Sequence, residues 1–144
     1  MTSRGVRHRR RSLSDWTLLA GASITQLTVT GALRVMPLPV LRGWTRRLRP
    51  VARMLLRGSD ERIIWAVEAT GRRLAPFSTC LVRALVVEAR LSSIHRPLSL
   101  AIGVKRGSTG ALQSHAWVLS GDLPLIGGPI DDGFVRVATW ESAT

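Results

Sequence analysis

Apolar residues recur at helical spacing as far as about residue 91, then alternate with polar and small residues from residue 98 onward. In the first regime, Leu41, Trp44, Leu48, Ala52, Leu55 and Leu56 keep near-helical spacing across 40–57, and arginines fill the positions between them. Pro37 and Pro39 break the chain ahead of this stretch, and Pro50 is placed to kink or split it. Ser14 is positioned to cap an earlier helix beginning near Asp15. Gly58-Ser59-Asp60 forms a turn, and a helix follows to Leu74 with Ile63, Val67 and Leu74 as its inward stripe and Ile64 alongside. Pro76 ends it, Ser78 or Thr79 caps the next helix near 80–91, and Leu81, Ala84, Leu85 and Leu91 face inward.

In the second regime, Leu98, Leu100, Ile102 and Val104 alternate with Ser99, Ala101 and Gly103, which predicts a half-buried strand. The loop 105–110 leads to a strand over 113–120, a short strand over 123–126, and a last strand over 133–140. Helices first and antiparallel strands afterwards make the fold class α+β. The expected organisation is a basic, disordered tail (1–12), a basic amphipathic helical region (13–58) and a core (59–144), the last two forming one domain. A chain of 144 residues can bury one core.

Composition adds a net charge of +12, nearly all arginine, clustered at 4–11 and 42–57. Such an excess calls for an anionic partner or surface. Arg42, Arg46, Arg47, Arg49 and Arg53 are the candidate surface for a partner protein, an acidic peptide or a membrane. No binding motif accompanies the charge, which disfavours nucleic acid. Residues 17–33 are apolar but interrupted by Thr, Ser and Gln, short of the ~20 apolar residues of a spanning helix. The expectation is therefore no transmembrane helix and no cleaved signal, hence a cytoplasmic protein with peripheral membrane contact as an option.

Cys80 is the lone cysteine, so no intramolecular disulfide is expected. Three scattered histidines lack metal-ligand spacing, and neither a metal nor another cofactor is expected. Cys80 falls at a helix start, where the helix dipole favours thiolate and free N–H groups can hold an oxyanion. His115 falls on a strand and is the candidate general base and acid. Alternation places His115, Trp117 and Leu119 on one face, making Trp117 a candidate site wall or core residue. A third residue should orient the imidazole. Asp131 is the preferred candidate, because an adjacent antiparallel strand would bring it beside the ring; Asp122 comes second and Asp132 third. Gly127-Gly128 reads as a turn.

The segment Ser78-Thr79-Cys80-Leu81-Val82-Arg83-Ala84-Leu85 resembles the cysteine motif of the lasso peptide leader peptidases, which are transglutaminase-like cysteine proteases. His115-Ala116-Trp117-Val118 resembles their histidine motif, although Leu119 stands where that family commonly has Glu. The resemblance implies a papain- or transglutaminase-like core, Cys80 as nucleophile and His115 as its proton partner. It further implies a precursor peptide as substrate, a separate small leader-binding protein, and a macrolactam-forming cyclase that takes the freed core. Two other readings stand beside it: a non-catalytic basic helical binding module, and acyl transfer by the same Cys–His pair.

Overall fold

A computed structural model describes residues 11–142. Most of the expected basic tail lies outside the described residues, as does His8. Five helices precede four strands: α1 (Leu13–Val35), α2 (Leu38–Arg47), α3 (Arg49–Leu55), α4 (Asp60–Arg73), α5 (Cys80–Leu91), β1 (Ser99–Arg106), β2 (Leu112–Ser120), β3 (Leu123–Ile126) and β4 (Val135–Glu141). The α+β reading thus describes the molecule.

Local chemistry accounts for the helix limits. α1 starts earlier than Ser14 suggested, because Ser12 and Asp15 form a reciprocal capping box: Asp15 N–H donates to Ser12 Oγ (3.2 Å) and Ser12 N–H to Asp15 Oδ2 (2.9 Å). The Asp15 carboxyl is held below its ordinary pKa by these bonds and by Arg62. Pro50 splits the arginine-rich stretch, sitting in the first turn of α3, where a missing N–H costs nothing. The Ser and Thr hydroxyls that interrupt the apolar stretch of α1 bond back to carbonyls one turn earlier. The 23 residues of α1 include an 18-residue window of mean hydropathy 1.2, long and apolar enough to cross a membrane by length and composition. In the fold, α1 packs against α4 and α5 through Leu18, Leu19, Ala22 and Val29. Gly21 lets it approach the backbone of Leu55 in α3, where a Cβ would collide with the carbonyl.

The strands form one antiparallel sheet in the order β3-β2-β1-β4. α5 lies between the other helices and the sheet, so it is buried on more sides than an amphipathic surface helix. Val82, Val86 and Val87 are inside together with Ala84, Leu85 and Leu91, while Leu81 is only half-buried. On the helix side, the sheet contributes Leu100, Ala116, Val118 and Ile126 to the main core. Its other face carries a second cluster of Ala101, Trp117 and Leu119, covered by Ile130 and Phe134. Trp16, Trp44 and Trp65 are exposed on the helical surface.

Candidate active site

Cys80 is the first residue of α5. Thr79 caps that helix: its Oγ1 accepts from Val82 N–H (3.3 Å) and its carbonyl from Arg83 N–H (3.1 Å). The N–H groups of Cys80 and Leu81 therefore have no intrahelical acceptor and point out of the helix end. The segment ahead of Cys80 is tied down from α1. Ser78 donates to the side-chain oxygen of Gln26, whose amide donates to Thr70 Oγ1 and the Val67 carbonyl. Thr30, one turn after Gln26, donates to the Phe77 carbonyl (2.7 Å). Gln26 is fully buried, and Ser78 and Thr70 nearly so. This buried polar strut fixes the approach to the thiol.

Cys80 and His115 line one cleft of about 260 Å³ between the start of α5, β2 and the Gly127-Gly128-Pro129 turn. The Glu68–Arg83 ion pair (3.0 Å) closes another wall. Cys80 is partly exposed. His115 Nε2 donates to the Gly127 carbonyl (2.7 Å). A carbonyl only accepts, so Nε2 carries a proton and, in the neutral tautomer, Nδ1 holds the lone pair. The ring also stands beside Trp117 and Phe134, with centroids at 5.9 and 5.7 Å. Among the described residues no hydrogen bond joins Cys80 to His115.

The structure does not bring Asp131 to His115. Its carboxylate takes Lys105 Nζ on one oxygen (2.5 Å) and Gly133 N–H on the other (3.1 Å). The reason is topological. β4 pairs with β1, not with β2, so the chain leaving β3 crosses the outer face of the sheet and sets Asp131 over β1. Lys105 then captures it, and Phe134, under the Lys105 ammonium (4.7 Å), stands between that ion pair and the His115 ring. Asp122 sits exposed in the β2–β3 turn and Asp132 exposed in the crossing loop; neither bonds to His115. Trp117 lines no part of the cleft. It is buried behind the His115 ring in the second cluster, with Gly103 leaving room for its far edge.

Gly127 is the neighbour that sequence reasoning missed. Its φ of +86° suits glycine, and a Cβ there would meet the Ala116 carbonyl at 2.7 Å. Gly127-Gly128 was legible as a turn, but nothing local marks which carbonyl faces a histidine. Gln26 carried a faint signal as the one amide among the small hydroxyl residues that interrupt α1.

The arginines proposed as a partner surface divide. Arg46, Arg47 and Arg53 are exposed. Arg42 turns inward to Glu88 (2.6 Å), whose carboxylate is almost fully buried, and Arg49 is half-buried. Among the described residues, no group of three or more metal-ligating side chains comes together.

A thiol on a helix N-terminus thus shares a cleft with a histidine of an antiparallel sheet in an α+β domain. The family model for the transglutaminase-like superfamily matches residues 27–139, most of the chain, and the protein belongs to that superfamily. Its activity type is accordingly that of a cysteine peptidase or acyltransferase. No curated protein and no solved structure matches the chain.

Proposed function

We propose that this protein is a cysteine peptidase that removes the leader from a ribosomally made lasso peptide precursor. The observation that carries the chemistry is the cleft shared by Cys80, at the start of α5, and His115, with its Nε2 proton held by Gly127. The substrate assignment is supported by the Ser78–Leu85 and His115–Val118 segments and their resemblance to the leader peptidases.

His115 Nδ1 takes the Cys80 proton, and the thiolate attacks the carbonyl at the leader–core junction. The N–H groups of Cys80 and Leu81 hold the tetrahedral oxyanion. The imidazolium returns its proton to the leaving core amine, leaving the leader as a thioester on Cys80. Water, deprotonated by the same ring, then releases the leader as a free acid. The Gly127 carbonyl does the orienting that a third carboxylate performs in a triad. The enzyme works in the cytoplasm with a separate leader-binding protein, and a macrolactam-forming cyclase consumes the core. Arg46, Arg47 and Arg53 offer the surface for the partner or for peripheral membrane contact.

The superfamily also contains acyltransferases, so the thioester has a second fate, capture by an amine. Mass spectrometry of a co-incubated precursor and leader-binding protein distinguishes the outcomes. Hydrolysis yields a leader acid and a free core, whereas acyl transfer yields a new amide. Cys80→Ala abolishes both products while retaining the wild-type circular dichroism spectrum. Cleavage by well-folded Cys80→Ala protein would remove this reading.

A further inference from the structure

A second cavity, of about 250 Å³, opens between α2, the end of α5 and the end of β4, and the Cys80 chemistry makes no use of it. Arg42, Arg46, Arg49, Glu88, Ser92 and Trp140 line it. Two of its polar groups are buried without any hydrogen-bond partner: Arg49 Nε and Ser92 Oγ. Ser92 is only 1% exposed. Buried polar groups are nearly always paired, so two unpaired donors among the residues of one cavity single it out. Neither Arg46 nor Arg49 has an ion-pair partner among the described residues, whereas Arg42 is committed to Glu88 and lies over the Trp140 ring (5.7 Å). Burial lowers the Arg49 pKa, Glu88 opposes that, and Arg46 and Arg53 lower it further, so an anion here relieves repulsion.

The lining favours an anion. Arg42, Arg46 and Arg49 stand with Glu88 and Glu141, and Arg53 adds to the positive charge acting on Arg49. A planar carboxylate suits the guanidinium edge that Arg49 Nε offers, with Ser92 Oγ donating to one of its oxygens. The cavity is smaller than the 300 Å³ or so of ordinary small-molecule pockets and fits a single side chain.

We propose that this cavity receives the carboxylate of a glutamate or aspartate presented by an acidic peptide. It rests on the reading of the arginine-rich helices as a peptide-facing surface, and not on the cleavage chemistry. The test is calorimetric titration of the full chain with an N-acetylated, C-amidated hexaglutamate, using hexaglutamine and inorganic phosphate as comparison probes. Hexaglutamate binds and hexaglutamine does not. Arg49→Met and Ser92→Ala each weaken binding about tenfold, the scale of one hydrogen bond to a charged group. Arg106→Gln, on the β1–β2 hairpin, leaves it unchanged. Ser92→Ala keeps or raises the melting temperature, because it deletes an orphan hydroxyl, and so separates a ligand role from a structural one. The proposal fails if hexaglutamate does not bind, if Arg106→Gln weakens it as much as Arg49→Met, or if phosphate binds more tightly with the same dependence on Ser92. Lost precursor cleavage with hexaglutamate binding intact would count against the peptidase reading alone.

Discussion

Replacing Gln26 by leucine tests whether the buried strut from α1 holds the approach to Cys80. Gln26 bridges Ser78 to α4 from a fully buried position, so the substitution removes the Ser78 bond and those to Thr70 and Val67. The consequences are unequal. Thr70 Oγ1 keeps its bond to the Ala66 carbonyl (2.7 Å), but Ser78 Oγ is left buried with no acceptor. Net losses of about 1 kcal/mol for each bond, added to 1–3 kcal/mol for a stranded hydroxyl, place the cost at about 2–4 kcal/mol after the apolar gain from leucine. Urea unfolding followed by circular dichroism reads this as a lower midpoint at constant slope. Adding Ser78→Ala to Gln26→Leu removes the stranded group and recovers about 1 kcal/mol, a coupling that a cycle of the two mutants isolates. Alkylation of Cys80 by iodoacetamide provides a local readout, since a loosened 77–79 segment exposes the thiol and speeds the reaction. A Gln26→Leu loss under about 0.5 kcal/mol, or a Ser78→Ala effect that adds rather than recovers, would refute the strut.

Two further substitutions probe the histidine and its surroundings. Gly127→Ala forces a side chain into positive φ and against the Ala116 carbonyl, costing about 1–3 kcal/mol. Because the Gly127 carbonyl holds His115 Nε2, precursor cleavage falls by more than the lost folded fraction explains, as measured by kcat corrected for thermal unfolding. Lys105→Met addresses Asp131, whose carboxyl lies below 3.8 because of the Lys105 bond first and the Gly133 N–H second. A depressed carboxyl pKa contributes stability above its unfolded value and loses it as pH falls through the folded value. In wild type the contribution therefore fades below about pH 4. Lys105→Met raises the Asp131 pKa toward 3.8, visible in carboxyl-carbon NMR titration, while cleavage at neutral pH changes little because Asp131 does not touch His115.

The amino-acid sequence by itself determined the two-part architecture and the elements that carry Cys80 and His115. The shift from helical to alternating periodicity marks α+β, because periodicity is a property of neighbours within one element. The Ser78-Thr79 cap and Pro76 place Cys80 on a helix start for equally local reasons, and His115 falls on a strand by alternation. Tertiary structure decided what surrounds them. Asp131 missed His115 because the sheet order sends β4 to the far side of β1, a choice made by long-range strand pairing. The Gly127 carbonyl, the Gln26 strut and the cavity of Arg49 and Ser92 join residues far apart in sequence, which no local pattern records. Backbone carbonyls in particular carry no residue signature, so the group that holds the histidine becomes visible only once the chain has folded around it.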